Sequence, residues 1–279
     1  MKRTATCLSV AIMVVFMATA AHAQIIETAM RGNTVVAAPS LSTAWVYNPA
    51  VLASLAGLDD QGAGLMGWRH AASADLEVSG DTDLFALNWG GSQVRKDFGL
   101  GAGYWDFMDG SIFGAGIGKA WKKGMAWGVS WQNMDPDGAG SSENVFSAGL
   151  TGHWGGNEYT QMAPVRYGLV VRDITDEMQT TIDVGASVQL PGGILLAADL
   201  ADLTDEIDSA LRIGASMRFG LSNEWQAGIG LDDGDLTVGA MYNSTAGWAG
   251  GSWRFGGAFQ DLDDADDSLI VGAFATWGM

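Results

Sequence analysis

Residues 125–133 read M-A-W-G-V-S-W-Q-N, and this two-residue beat constrains the fold more tightly than anything else in the chain. Side chains alternate faces along a β-strand, so Met125, Trp127, Val129 and Trp131 fall on one side and Ala126, Gly128, Ser130 and Gln132 on the other. One face is greasy; the other is small or polar. The beat returns from about residue 62 to the last residue, with the large aromatics in the alternating phase. A soluble sandwich hides such a face against a second sheet, whereas a sheet closed on itself in lipid turns it outward. Forty glycines, twelve tryptophans and only 16% charged residues favour the second solution.

Strands are predicted at 62–72, 82–90, 95–106, 111–121, 124–133, 144–154 and 165–172, then at 179–190, 193–201, 209–219, 223–231, 235–243, 247–260 and 268–279. Each is near the length a tilted strand needs to cross a bilayer. The expected fold is therefore all-β: a transmembrane antiparallel up-and-down β-barrel of about 14 strands, or 12 if the first pair or 247–260 is misassigned. Phe146/Leu150/Trp154, Leu211/Ile213/Met217/Phe219 and Leu269/Val271/Ala273/Ala275/Trp277 are examples of the lipid faces. Aromatics cluster near strand ends, where interfacial girdles sit.

The connections sort by parity. Odd-to-even connections carry the acids: Asp75/Glu77/Asp81, Asp106/Asp109, Asp135/Asp137, Asp173/Asp176/Glu177, Asp202/Asp205/Glu206/Asp208, Asp232/Asp233/Asp235 and Asp261/Asp263/Asp264/Asp266/Asp267. Even-to-odd connections, such as Lys122-Lys123-Gly124 and Pro191-Gly192-Gly193, are mostly tight and poor in acid. With the N-terminal segment on the periplasmic side, the acidic loops face outside.

Met1-Lys2-Arg3, an apolar run to about Ala20 and Ala21-His22-Ala23 have the three parts of a secretory signal peptide. The expected divisions are thus a signal over 1–23, a plug or hatch over 24–61 and the barrel over 62–279. Cys7, the sole cysteine, leaves with the signal, so no disulfide or thiol chemistry is expected. With 32 acidic against 14 basic residues, nucleic acid is excluded as a partner. No later run offers about eighteen consecutive apolar residues, so helical spans are not expected, and a mean hydropathy of +0.12 suits a chain that hides its hydrophobicity in alternation.

Residues 24–61 leave the beat. Asn48-Pro49 is a turn-starting pair, and Pro49 is suited to open a short helical turn over 50–55. The run from Ala29 to Gly57, with Asn48-Pro49-Ala50 after a small-residue segment, resembles the N-terminus of the FadL-like outer-membrane barrels. It is most similar to the PorV/PorQ-type branch, with Val51 where that element has glycine. The resemblance implies a segment folded into the barrel lumen, with Trp45, Tyr47, Asn48, Pro49 and Ala50 as its hatch residues. In FadL-like transporters it also implies a ligand that enters the lumen and leaves sideways through a wall gap beside the hatch.

Inside the lumen, Asp183, Asp199 and Arg212 are expected to form a charge belt, with Asp199 opposite Arg212 and Asp183 beside Asp199. Arg166, Arg172, Arg218 and Arg254 share the inward phase. Such a belt is either a selectivity constriction or an ion-pair network that anchors the plug. The acidic loops are either a solvated rim or sites for divalent cations bridging lipopolysaccharide. No EF-hand spacing supports a metal site, and no cofactor motif occurs. Glycines at every second residue, as in Gly99/Gly101/Gly103 and Gly114/Gly116/Gly118, predict a smooth inner wall for tight curvature or close approach of the plug. No catalytic residues are predicted: Gly-x-Ser-x-Gly and His-Glu-x-x-His are absent, and hairpin pairing sets Ser130 against Ser147, away from His153.

Three functions follow: passage of a small hydrophobic ligand, as the FadL-like resemblance implies; an accessory role with secretion-system components, as the PorV/PorQ resemblance implies; or a structural barrel. The expected partners are outer-membrane lipid, lipopolysaccharide and the barrel-insertion machinery, which would read Trp277 and Phe274 near the C-terminus.

Overall fold

The computed structural model describes residues 34–53 apart from 35 and 38, together with 68–79, 83–93, 98–107, 110–122, 124–136, 142–154, 165–175, 179–204, 209–244, 252–260 and 267–278. The predicted signal segment and the acids Asp81, Asp109, Asp137, Asp176, Glu177, Asp205, Glu206, Asp208, Asp261, Asp263, Asp264 and Asp266 lie outside these. Fourteen antiparallel strands close into one barrel. They are β1 (Trp68–Ser79), β2 (Phe85–Gln93), β3 (Phe98–Phe107), β4 (Gly110–Lys122), β5 (Met125–Pro136), β6 (Glu143–Trp154) and β7 (Val165–Arg172). The second half holds β8 (Thr181–Leu190), β9 (Ile194–Ala201), β10 (Ala210–Phe219), β11 (Trp225–Asp232), β12 (Asp235–Ser244), β13 (Ser252–Gln260) and β14 (Ser268–Gly278). Each strand pairs its sequence neighbours, and β1 pairs β14 to close the wall.

The beat in 125–133 sorts as expected. Trp127 and Val129 are 41% and 43% exposed, whereas Ala126 and Ser130 are both 3% exposed. Leu87, Leu100, Phe113, Ile117, Phe146, Leu150, Leu211, Ile213, Ile229 and Phe255 continue the exposed apolar belt round the barrel. In water, this much contiguous apolar exterior would drive association; in hydrocarbon it costs nothing. No helix of the described residues is long and apolar enough to cross a membrane.

The first strand is displaced from its prediction. It spans Trp68–Ser79 rather than 62–72, and residues 62–67 lie outside the description. Asp75 and Glu77 are therefore not loop residues: they sit in β1, face inward and are buried. Acids lower strand propensity, but on an inward, lined face that penalty is overridden by their partners; Glu77 accepts a hydrogen bond from Ser268 Oγ across the closing seam. Asp106, Asp135, Asp232 and Asp235 likewise fall at strand ends. Strand β13 starts at Ser252, later than the predicted 247.

The ends of the barrel differ in charge. Asp83, Asp106, Asp135, Asp173, Asp202, Asp233 and Asp267 gather at one end, and Lys119, Arg166 and Arg218 lie toward the other. Two acid-end loops repeat one design. Asp173 and Asp202 both take a left-handed φ of 48°, a conformation Asp tolerates better than most residues. The next residue then donates to an earlier strand: Ile174 N–H to Phe146 O at 2.8 Å and Leu203 N–H to Ile182 O at 2.7 Å. Thr175 and Thr204 fold back to the respective aspartate carboxylates. The third such contact, Asp233 N–H to Leu211 O at 3.2 Å, comes from a two-residue Asp233-Gly234 hairpin turn.

Candidate functional site: the lumen and its inner segment

Residues 34–53 occupy the lumen. A short helix, α1 (Ala44–Tyr47), runs into Asn48 and then a 3-10 turn, Pro49–Leu52. Asn48 makes this bend. Its extended backbone breaks the helix, its Oδ1 accepts from Ala50 N–H at 3.2 Å, and Pro49 stands at the first position of the new turn, where no N–H is needed. Asn48 Nδ2 also donates to Val36 O at 2.7 Å and to Leu150 O of β6 at 3.3 Å. One side chain thus caps the turn, ties the segment to itself and ties it to the wall. The helical turn ends at Leu52, short of the predicted residue 55.

The glycines of β2–β7 are where this segment rests. A Cβ at Gly99 would overlap the Leu52 carbonyl, one at Gly128 the Pro49 carbonyl, one at Gly149 Asn48 Oδ1, and one at Gly168 the Val36 carbonyl. The Trp45 ring lies against Gly103 and Gly114, which are cross-strand partners on β3 and β4. At Gly99, Gly128 and Gly168 backbone meets backbone, so no residue larger than glycine fits there without moving the segment.

Polar groups fasten the segment at intervals round the wall. Trp45 Nε1 donates to Asn88 Oδ1 of β2 at 3.0 Å, and Trp105 Nε1 of β3 shares that acceptor at 2.8 Å. Asn88 Nδ2 donates to Ser73 Oγ of β1, which also accepts from Ser42 Oγ of the segment at 3.0 Å. Arg172 of β7 donates from Nη1 to Val46 O at 3.0 Å and from Nη2 to Tyr47 O at 3.3 Å, while its Nε pairs with Asp183 Oδ2 of β8 at 2.6 Å. Asp199 Oδ2 of β9 accepts from Val36 N–H at 2.7 Å. The anchors therefore run from β1 to β9.

Three of the belt residues, Arg172, Asp183 and Asp199, meet the inner segment or its direct partner. Arg212 stands opposite Asp199 in register, as the pairing argument requires, yet its Nε donates instead to its other cross-strand neighbour, Asp232, at 2.6 Å. Asp199 instead accepts from Val36 N–H of the inner segment. Asp183 lies one rung from Asp199, whose partner on β8 is Gly185. Arg166 stands between His153 and Ser187, and Arg218 opposite Gln226, both toward the other end. Arg254 is wholly buried on β13, its guanidinium 4.9 Å from the Phe274 ring centroid. The seven do not form one ring. Ser130 and Ser147 are cross-strand partners, and His153 faces Arg166.

Asn88, Ser73 and Trp105 were not singled out from sequence. Trp105 carried a readable signal: it continues the inward phase of Gly99/Gly101/Gly103, and with Trp45 it is one of two buried tryptophans among the described residues. Phe274 is buried and faces inward, so of the two expected C-terminal recognition aromatics only Trp277 is on the exterior, stacked on His70 with centroids 5.4 Å apart.

At the acid-rich end, the wall above α1 turns apolar side chains inward. Trp105 packs on Trp45 and Tyr47, with centroids 6.2 and 5.8 Å away, and on Phe107 at 6.1 Å. Leu84, Ile112 and Ile270 join this cluster. The wall beside it is continuous: β3 pairs β2 and β4 in unbroken register, and among the described residues the only register shifts are between Glu77 and Ser79 and between Ala120 and Lys122. No cluster of three or more potential metal ligands occurs among the described residues.

No family model matches the chain, and no curated protein matches it. Among solved structures, the Pseudomonas putida toluene transporter TodX is similar with a TM-score of 0.55 and 12% identity, over 92% of this chain and 98% of that one. Pseudomonas putida OprB follows at a TM-score of 0.38 and 7% identity, over 75% and 93% of the two chains. The likeness to TodX is one of fold: a closed outer-membrane-type β-barrel.

Proposed function

We propose that this chain is an outer-membrane barrel that passes small apolar molecules through its lumen, with residues 34–53 as the gate. The observation that carries the reading is the inward-facing cluster of Leu84, Trp105, Phe107, Ile112 and Ile270 above Trp45 and Tyr47. A lumen meant only for polar solutes has no use for aromatic rings at its acid-rich mouth, whereas an apolar solute leaves water favourably on such a surface. The TodX-like fold supports a transport role, and the exposed apolar belt supports membrane lipid as the surrounding partner. The unbroken wall directs the solute along the lumen past a displaced gate rather than sideways.

Uptake of a small aromatic hydrocarbon by cells whose outer membrane carries lipopolysaccharide tests this. Expression of the chain is expected to raise uptake, and Trp105→Ala to lower that gain about tenfold, the low end of what burial against one large apolar side chain contributes. Equal uptake with and without the chain would overturn the reading. The many anchors on residues 34–53 favour a second reading, an accessory barrel with a permanently filled lumen; co-purification with secretion components, without protein-dependent uptake, is its signature.

A further inference from the structure

We infer that Ser92, Ser130 and Ser147 are release groups: wall hydroxyls that lose their hydrogen bonds while residues 34–53 are seated and recover them in water when the segment leaves. The inference rests on reading that segment as a movable gate. All three serines face inward and are 0%, 3% and 2% exposed, and none of their Oγ atoms has a hydrogen-bond partner among the described residues. All three stand beside glycines that carry the segment. Ser92 is the cross-strand partner of Gly99, which lies under the Leu52 carbonyl. Ser130 is the partner of Gly116, which touches Trp45, and it stands two residues from Gly128 under Pro49. Ser147 faces Ser130 and stands two residues from Gly149, which meets Asn48.

Two other inward wall hydroxyls, those of Ser73 and Thr151, are satisfied, whereas Ser187 Oγ is also without a partner among the described residues. Ser73 accepts from both Ser42 and Asn88, and Thr151 donates to Tyr167 O at 3.1 Å. Alanine would fill the three serine positions with the same strand geometry and no orphaned oxygen. A buried hydroxyl without a partner penalises the state that buries it, and here that state is the closed one. Charged anchors at Arg172 and Asp199 hold the segment down, while the three serines weaken the hold. The closed state is thereby tuned to be reversible.

Amide hydrogen exchange across residues 44–53, read by mass spectrometry on the full chain in detergent micelles, tests the inference. Ser130→Ala, Ser147→Ala and Ser92→Ala are each expected to slow exchange about fivefold, and the first two together more than either alone. Asn88→Ala, which removes an anchor, is expected to speed it. Unchanged or faster exchange in the serine variants would overturn the inference. The readout needs no solute, so absent hydrocarbon uptake with slowed exchange would count against the transport reading alone.

Discussion

The two halves of the lumen are filled by opposite means. On the β2–β7 side glycines leave the space that the inner segment fills, and the segment brings its own backbone to within contact. On the β10–β14 side the wall supplies the bulk itself, through Arg212, Met241, Arg254, Ile270 and Phe274. The first half is filled by one segment, whose displacement under the proposed gating would empty it. The second can be emptied only by rebuilding the wall. A passage opened by the gate would therefore follow the glycine side, with the side-chain wall as its fixed opposite bank.

Breaking the glycine side should give the largest effect. Gly128→Leu drives a side chain into the Pro49 carbonyl, and the loss of seating is expected to reach about 4 kcal/mol or more, since backbone has no rotamer with which to yield. Single-channel recordings in planar bilayers should then show an open pore where the parent chain is closed. Trp45→Ala removes the ring seated against Gly103 and Gly114 and should cost the seated state about 3–5 kcal/mol, measured as faster proteolysis of the N-terminal segment. Arg172→Met frees the Val46 and Tyr47 carbonyls and leaves Asp183 buried beside an apolar side chain; with the pair only partly exposed, a loss of about 2–3 kcal/mol is expected by the same assay. Arg254→Met probes the opposite bank. It should leave proteolysis of the segment unchanged and lower the unfolding free energy of the barrel by about 1 kcal/mol, the scale of a cation–π contact.

The smallest effect lies in the Gly220–Glu224 turn, away from both banks. The Glu224 carboxylate accepts from Ser222 N–H at 2.6 Å and Leu221 N–H at 3.2 Å, and these bonds hold its pKa below the ordinary glutamate value. Because the folded value is the lower one, this contribution is present above the ordinary value and fades as pH falls through the depressed one. Glu224→Gln should flatten that acid limb of the melting profile without altering gating.

Much of this was legible in the sequence. Bilayer contact imposes a strict alternation, so the strand count and the outward faces could be read directly, as Trp127/Val129 and Leu211/Ile213 show. The first strand was misplaced because alternation also runs through 62–67 and because Asp75 and Glu77 look like loop residues when their inward burial is unknown. Asn48 and Pro49 announced the bend of the inner segment through local chemistry. Their distant partners did not: Asn88, Ser73 and Arg172 acquire their roles only when strands far apart in sequence curl round one space. The ion pair of Arg212 shows the same limit, since register offered it two aspartates, Asp199 and Asp232, and its pairing with Asp232 emerges only in the folded wall. The paired Asp173/Thr175 and Asp202/Thr204 loops were visible as D-I-T and D-L-T but had no meaning before their backbone bonds to Phe146 and Ile182 were seen.

The closing seam has one more consequence. Thirteen of the fourteen pairings join strands adjacent in sequence, and only β1 with β14 spans the chain, for example Arg69 against Gly278. A growing sheet can thus zip hairpin by hairpin as an open curved ribbon, while its final suture waits for the last residues to be delivered. The inner segment precedes the first strand, so it is already in hand before that suture is made, and the ribbon can be wrapped round its own occupant.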